Sequence, residues 1–304
     1  MEAIIEEKEI WRNKPLTEFK PEKIEYVGKK KIPTAEVQIE EVKPKKIEPK
    51  GQRNDFSRVV LGYQRLKEML NLLGSLVTEA KFKLDQNGMT CIVVDPAHVG
   101  MIKMNMPKDT FAEFVCEGEA YWTLDIRNLN KTLPKAKPMD VVTLSGRSDT
   151  LTVETGPFKR DYKIMDPEYI TTPRVPPINP EFSFIIGQYE MKNALVTADP
   201  VSDSIRLTMD NNGVVFLAEA DSEKAEAVYT KEMLKEVNNG GNKIRSTYPL
   251  EYLEKLFKAM KTVDEVRVRF QNEYPMVIDF NVKGTFEGSE GVSYTYFLAP
   301  RMEQ

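Results

Sequence analysis

The chain of 304 residues is 41% hydrophobic and 30% charged, and its formal net charge is −4. This length suits about two domains, and the composition is typical of a globular protein without a membrane span, since no apolar run reaches about 18 residues. Residues 1–10 are acidic and lack an apolar core, so they do not read as a signal peptide.

Residues 1–54 differ in composition from the rest of the chain. They hold 13 Lys and Arg against 11 Asp and Glu, and five prolines punctuate them. Such a segment cannot bury enough apolar surface to offset the entropy lost on ordering. We predict a disordered or extended N-terminal segment, which is either an inert solvated tail or an arm that docks through Trp11, Phe19 and Tyr26.

Residues 55–165 have the periodicity of a compact domain. Apolar residues recur at helical spacing in residues 66–73, which predicts a first helix, and in residues 126–136, which predicts a second helix that Pro138 limits. Strands are predicted at residues 56–61, 77–84, 89–94, 101–106, 121–125, 141–144, 150–154 and 158–164.

Residues 166–180 contain five prolines, which exclude a helix and a strand interior. We predict an extended linker that lies on a surface, because Tyr169, Ile170, Val175 and Ile178 make it partly apolar. Residues 181–304 then repeat the first plan, with helices at residues 191–198 and 251–260 and strands at residues 182–186, 204–209, 214–219, 224–230, 266–270, 276–282 and 292–298.

The two halves are related by an internal duplication with an offset of about 125 residues. Asp85-Gln-Asn-Gly88 and Asp210-Asn-Asn-Gly213 each close a hairpin between alternating strands. A second match has nearly the same offset, because Leu129-Asn-Lys131-Thr-Leu133 corresponds to Leu253-Glu-Lys255-Leu-Phe257. The sequence therefore predicts two sibling α+β domains, each with two helices on one side of an antiparallel sheet.

Catalytic and metal-binding patterns are absent from the sequence. His98 is the only histidine, and neither a phosphate-binding loop nor a dinucleotide fingerprint is present. Cys91 and Cys116 lie in apolar strand-like runs, where we interpret them as small buried side chains of a protein from a reducing compartment. We predict no enzyme activity, no metal site and no cofactor.

Basic residues recur on the polar faces of the predicted helices. Each of them taken alone is more often a solvated surface lysine, but the matching positions of Lys131 and Lys255 favour a shared surface. Such a surface would contact phosphates without reading bases. The candidate DNA-binding residues are Lys67, Lys131, Lys135, Lys192, Lys255, Lys258 and Lys261.

Four short stretches resemble the proliferating cell nuclear antigen (PCNA) family of DNA sliding clamps, in its archaeal form. They are Val94-Asp-Pro-Ala-His-Val99, Pro200-Val-Ser-Asp-Ser-Ile205, Tyr248-Pro-Leu-Glu-Tyr-Leu253 and Leu298-Ala-Pro-Arg301. The resemblance runs from about residue 56 to residue 303 in order and without large gaps, and residues 1–54 lie outside it.

The resemblance implies a DNA-clamp fold in which three subunits form a ring around duplex DNA, with helices inside and sheets outside. It implies a processivity factor that DNA polymerase, clamp loader, flap nuclease and DNA ligase bind through PCNA-interacting peptides. Residues 166–180 correspond to the interdomain connecting loop. The location would be cytoplasmic and nucleoid-associated in an archaeon, or nuclear in a eukaryote. The peptide groove would consist of Val94, His98, Val99, Met101, Ile170, Pro275, Phe297, Leu298, Ala299 and Pro300.

The resemblance also implies a subunit seam and leaves alternatives open. Strand 158–164 of one copy would pair with strand 224–230 of the next, which protects two exposed sheet edges. Several pore-facing positions that are basic in many relatives differ here, which keeps two alternatives open: a subunit of a hetero-trimeric or checkpoint-type clamp, and a ring-shaped interaction hub with little DNA binding. These positions are Glu68, Gly74, Pro134, Asn193, Val196 and Glu251.

Overall fold

The computed structural model describes residues 56–284 and 291–301, so the predicted N-terminal segment lies outside the described residues. The first half contains nine strands and two helices. They are β1 (Ser57–Gly62), α1 (Tyr63–Leu73), β2 (Glu79–Asp85), β3 (Gly88–Val94), β4 (Gly100–Pro107), β5 (Glu113–Cys116), β6 (Ala120–Asp125), α2 (Ile126–Thr132), β7 (Val141–Arg147), β8 (Thr150–Thr155) and β9 (Phe158–Lys163).

The second half repeats this order among its described residues. Its elements are β10 (Phe182–Gly187), α3 (Gln188–Ala198), β11 (Ser204–Asp210), β12 (Gly213–Glu219), β13 (Lys224–Thr230), β14 (Val237–Asn238), β15 (Ile244–Pro249), α4 (Leu250–Ala259), β16 (Glu265–Phe270), β17 (Met276–Val282) and β18 (Val292–Leu298). The predicted α+β class is confirmed, and β14 is a short strand that the sequence did not predict.

The strands form three antiparallel sheets whose order shows the duplication. The first half contributes β5-β1-β7-β8-β9 and β4-β3-β2-β6, and the second half contributes the equivalent sets β14-β10-β16-β17-β18 and β13-β12-β11-β15. Pairing of β18 with β4 fuses one set from each half into a nine-stranded sheet. The equivalent strands β9 and β13 are both left at sheet edges.

The repeated hairpin is built by the same contacts in both halves. Asp85 and Asp210 each accept a hydrogen bond from the backbone N–H two residues on, at 2.8 Å. Gly88 and Gly213 have φ angles of 136° and 143°. A Cβ atom there would lie 2.2 Å from the Met106 carbonyl oxygen and 2.1 Å from that of Tyr229, so both turns require glycine.

Helix α2 is shorter than predicted. It ends at Thr132, and Leu133 adopts extended backbone with ψ 128°, so the predicted continuation to Ala136 is wrong. The physical reason is Pro134, because a proline ring disfavours helical backbone in the preceding residue. Leu133 is nevertheless buried in the core.

The proline-rich linker of residues 166–180 is held at both ends. Near its start, Lys81 Nζ donates to the carbonyl oxygens of Pro167 at 2.7 Å and Ile170 at 3.3 Å. At its end, Ile178 is buried and Arg269 donates to Asn179 at 2.6 Å. The linker contains no helix or strand, as predicted, and its second part lies against the outer face of the nine-stranded sheet.

Candidate nucleic-acid interface and partner groove

The four helices form one layer in the order α2-α1-α4-α3. Helix α1 contacts α2 and α4, and α4 contacts α3, so the layer crosses from one half to the other. Each helix buries its apolar side toward the sheets; in α4 this side includes Leu253, Leu256 and Phe257. The polar sides therefore share the opposite surface of the layer.

Two adjoining hollows in this layer collect most of the predicted basic residues. The first has a volume of about 320 Å³ and lies between α1 and α2, where Lys67 and Lys131 line it. The second has a volume of about 600 Å³ and is lined by Lys255, Lys258 and Lys261. Because both hollows share Arg127, they form one basic groove, which hereafter denotes these six residues.

Arg127 was missed in the sequence, since it follows the capping residue Asp125 on a short helix and no sequence repeat marks it. It is exposed, and it links the lysines of α1 and α2 with those of α4. Lys135 and Lys192 do not line either hollow. The structure thus brings five of the seven predicted lysines together.

The lysines of the basic groove differ in their surroundings. Lys67 Nζ donates to the Asn130 backbone oxygen at 2.9 Å and to the Asn130 side chain, and burial lowers the pKa of Lys67. Lys255 forms an ion pair with Glu251 one turn earlier on α4, which offsets part of its charge. Lys131, Lys258 and Lys261 are exposed.

Glu68 does not face the pore side as expected. Its side chain is buried, at 2% exposure, and its carboxylate accepts hydrogen bonds from Lys261 N at 2.8 Å, Thr262 N at 2.9 Å and Thr262 Oγ1 at 2.6 Å. The expectation was wrong because α1 is covered on two sides, by the sheet and by the end of α4. Glu68 therefore links the two halves instead of reducing the charge of the groove.

Helix α3 presents a surface of different character. Val196 is 57% exposed and Tyr189 is 68% exposed, and Asn193 lies exposed between them. The positive charge of the helix layer is therefore concentrated on α1, α2 and α4.

The predicted partner groove coincides with a small apolar cluster on the outer face of the sheet. Met101, Val277 and Phe297 are buried there beneath Ile178 of the linker. Val94 and Ala299 are half-buried and pack against the same cluster. The linker thus covers one side of the cluster, and the remaining side is formed by the ends of β3, β4 and β18.

The other predicted groove residues are not equally accessible. His98, Val99, Ile170 and Pro300 are partly exposed, whereas Pro275 is buried. Leu298 is 0% exposed and belongs to the main core, so it supports the groove from behind and does not line it.

A tight loop of residues 95–99 forms the part of the groove that contains His98. His98 has a positive φ of 58°, and its backbone N–H donates to the Asp95 carbonyl oxygen at 2.9 Å. Ala299 N donates to the Val99 carbonyl oxygen at 2.9 Å, which attaches the loop to the C-terminal strand.

Other kinds of site are missing from the described part of the chain. Residues 56–284 and 291–301 contain no group of three His, Cys, Asp or Glu side chains that could hold a metal ion. In the same ranges, no helix is long and apolar enough to cross a membrane. Burial raises the pKa of the Cys91 thiol well above its usual value, which leaves this thiol unreactive.

Comparison with known proteins gives consistent matches. Residues 62–165 match the model of the proliferating cell nuclear antigen N-terminal domain. The DNA polymerase sliding clamp of Thermoplasma volcanium is 36% identical over 247 residues, which cover 81% of this chain and 99% of the relative. The sliding clamp of Picrophilus torridus is 34% identical over 248 residues, covering 82% of this chain and 100% of that protein.

Solved structures agree with the sequence matches. The structure described as the C-terminal region of FEN-1 bound to A. fulgidus PCNA aligns with a TM-score of 0.74 and 26% identity, covering 82% of this chain and 99% of that chain. PCNA from Thermococcus kodakaraensis aligns with a TM-score of 0.72 at 24% identity, covering 81% and 100% of the two chains.

Proposed function

This chain belongs to the proliferating cell nuclear antigen family of DNA sliding clamps, and we propose from that membership how its residues hold DNA, its own copies and partner proteins. Like its relatives it is a sliding clamp that encircles duplex DNA, a processivity factor and a docking platform for replication and repair enzymes. The observation that carries this function is the 36% identity that spans 99% of a sliding clamp. Its fold is the DNA-clamp fold of the matched structures.

The proposed organisation follows the duplication. Residues 55–165 and 181–304 are the two clamp domains, and residues 166–180 are the interdomain connecting loop. The clamp family works without catalysis, and we propose the same for this chain. We propose that it works at the DNA in the cytoplasm of an archaeal cell, which the archaeal sources of its relatives support.

The proposed DNA contact is the basic groove of Lys67, Arg127, Lys131, Lys255, Lys258 and Lys261. Cations in a row on a helix layer attract phosphates irrespective of base sequence, so a duplex held there can slide. Helix α3 contributes mainly neutral side chains, which predicts a grip that is stronger on one side of the subunit. Lys135 and Lys192 remain proposed peripheral contacts.

The proposed ring closes through the free edges β9 and β13. The pairing of β18 with β4 inside the chain shows how β9 of one copy would pair with β13 of the next, because β18 corresponds to β9 and β4 corresponds to β13. Inside the chain, Thr295 pairs with Lys103 and Phe297 with Met101. A second copy of this chain would extend the sheet in the same way, giving a homotrimer of six domains.

The pairing of β18 with β4 also gives the register of the proposed seam. Val153 on β8 and Ile278 on β17 are equivalent, and they pair with Arg160 on β9 and Tyr296 on β18, so these two partners are equivalent as well. On β9, Lys159 therefore corresponds to Thr295 on β18, and Asp161 corresponds to Phe297. The hairpin glycines Gly88 and Gly213 are equivalent, and they pair with Pro107 on β4 and Thr230 on β13. On β13, Glu226 therefore corresponds to Lys103 on β4, and Lys224 corresponds to Met101. Across the seam, Lys159 then faces Glu226 and Asp161 faces Lys224 of the next copy.

The other face of the same register is also complementary in size. Phe158, which is 56% exposed, would lie opposite Ala227, and Arg160 opposite Ala225. A large side chain opposite a small one allows two sheet edges to interdigitate. Charge and size therefore both support pairing of β9 with β13 of another copy.

The proposed partners bind in the groove beside the connecting loop. In the A. fulgidus structure, the C-terminal region of FEN-1 is bound to a PCNA. We propose that flap nuclease, DNA polymerase, DNA ligase and clamp loader reach this chain through PCNA-interacting peptides. An apolar cluster flanked by an extended linker suits a short helical turn with aromatic anchors.

The test of the function is polymerase processivity on primed circular DNA, with loader, with and without this protein. We expect longer products when it is present and retention on circular but not on linearised DNA. Products of unchanged length would contradict the clamp function. Light scattering measures the mass in solution. A mass that differs from that of three identical chains would contradict the homotrimer, but it would not contradict the clamp function.

A further inference from the structure

The carboxylate of Asp95 is the centre of the loop that borders the groove. Its side chain is 5% exposed and accepts hydrogen bonds from three backbone N–H groups of its own loop: Ala97 at 2.9 Å, Val99 at 2.7 Å and Gly100 at 2.6 Å. A carboxylate that accepts several backbone N–H groups holds a tight turn in one conformation. These bonds explain the shape of the loop.

A fourth hydrogen bond to this carboxylate comes from the other half of the chain. The Tyr252 hydroxyl donates to Asp95 Oδ2 at 2.9 Å from helix α4. The Tyr252 ring also packs closely, since a Cβ atom on Gly100 would lie 3.1 Å from Tyr252 Cδ1. Tyr252 and the Ala299–Val99 backbone bond therefore fix where the loop lies relative to the second half, whereas the three backbone bonds to Asp95 fix its internal shape.

The internal duplication provides a control for this contact. In the second half the position of Asp95 is Ala220, and the position of Tyr252 on α2 is Asn128. The equivalent loop between β12 and β13 is one residue shorter and closes with a backbone hydrogen bond from Ala220 N to Glu223 O at 2.9 Å. The loop between β12 and β13 thus forms without such a carboxylate, and the Asp95–Tyr252 pair belongs to the loop that borders the groove.

We propose that Tyr252 is a positioning residue for partner-peptide binding, which acts through Asp95 to hold the loop of residues 95–99 in the shape that receives the peptide. This inference rests on the proposed groove. When the loop is already ordered in the free protein, peptide binding loses less conformational entropy, which strengthens binding. The same contact joins the groove to α4, the helix on which Lys255 and Lys258 lie.

The protonation of Tyr252 is compatible with this role. Burial, together with the hydrogen bond to Asp95, raises the pKa of Tyr252 to about 12. The Tyr252 hydroxyl therefore remains a donor throughout the neutral range.

The test uses the full chain with Tyr252→Phe, which removes only the hydroxyl. Tyr189→Phe on α3 is the matched control, because that tyrosine is 68% exposed and far from the loop in the helix layer. The first measurement is hydrogen exchange of the Ala97, Val99 and Gly100 amides. The second is calorimetry with a synthetic PCNA-interacting peptide, and the third is the melting temperature.

We expect Tyr252→Phe to accelerate hydrogen exchange of the loop amides. The affinity for the peptide should fall about tenfold, because one hydrogen bond to a charged acceptor is lost. The exchange of the α4 amides and of the β4 amides beyond Gly100 should match that of the control, and the melting temperature should fall by no more than the loss of one hydrogen bond explains. Unchanged loop exchange, or unchanged peptide affinity, would overturn the proposal. So would a general rise in exchange across α4 and β4, because Tyr252 would then only stabilise the fold.

Failure of the groove itself is recognised separately. If the wild-type chain does not bind the peptide, the proposed groove is refuted and this inference with it, whatever the exchange rates show. If the wild type binds and Tyr252→Phe binds equally well, only the positioning role is refuted.

Discussion

Reversing one charge on strand β9 should open the ring. In the proposed register Lys159 of one copy faces Glu226 of the next, so Lys159→Glu places two carboxylates opposite each other. Lys159 already lies 3.5 Å from Glu154 of its own chain, and its side chain is 63% exposed, so each pair is weak. Exposed ion pairs are worth about 0.2–1 kcal/mol, and the reversal adds a repulsion of similar size.

The proposed ring would amplify this small effect because three identical chains make three seams. If each seam loses about 1 kcal/mol of binding free energy, the trimer loses about 3 kcal/mol. This loss lowers the association constant of the trimer about 150-fold. Screening should reduce the loss as salt rises above about 0.15 M. Analytical ultracentrifugation at low micromolar concentration measures the trimer fraction at each salt concentration.

Two variants make this experiment decisive. Adding Glu226→Lys to Lys159→Glu restores opposite charges across the seam and should restore the trimer. Lys137→Glu changes the net charge equally, but it lies in the connection between α2 and β7, outside β9 and β13, and should have little effect. A trimer that tolerates Lys159→Glu, or a double variant that fails to recover, would refute the register.

Three further predictions concern the groove, the link between the halves and the peptide. Arg127→Ala with Lys258→Ala should lower the log–log salt slope of duplex binding by about 0.9 for each lost phosphate contact, as measured by fluorescence anisotropy. Lys103→Ala on the outer sheet face is the control, and an unchanged slope in the double variant would place the contacts elsewhere. Glu68→Ala should lower the free energy of unfolding by about 2–4 kcal/mol in urea, since two half-buried backbone amides and the Thr262 hydroxyl lose a charged acceptor. A loss below about 0.5 kcal/mol, typical of surface sites, would show that the link is unimportant. Ile170→Asp should lower the affinity for a PCNA-interacting peptide about 10- to 100-fold, as measured by calorimetry, because one apolar anchor contact is lost. Undiminished affinity in a variant that remains a trimer would place the partner site away from the linker.

The features that the sequence predicts well are set by neighbours along the chain. Gly88 and Gly213 mark their hairpins because only glycine fits a positive φ beside a carbonyl oxygen. The prolines of residues 166–180 exclude regular structure whatever surrounds them. The duplicated order of strands and helices follows from the same local signals repeated at one offset.

The features that the sequence did not predict depend on distant parts of the chain. Glu68 is charged and adjoins apolar residues on α1, so only the position of Lys261 and Thr262 shows that it is buried. Arg127 joins the basic groove because α1, α2 and α4 converge there. The end of α2 is a different case, since Pro134 was a local signal that the helical spacing of Leu133 outweighed in the prediction.

The seam inside the chain and the proposed seam between copies show how one fold meets two requirements. Inside the chain, the inner face of the seam is apolar and buried, with Tyr296 beside Ile102. At the equivalent places on the free edges stand Arg160 and Ala225. The inner seam forms once, during folding, and is never exposed to water as an edge. The free edges must remain soluble until another copy arrives, and charged side chains protect such edges from unspecific pairing. If this reasoning is correct, Arg160→Leu should increase aggregation of diluted subunits, whereas an unchanged solubility would show that the charge serves only the seam.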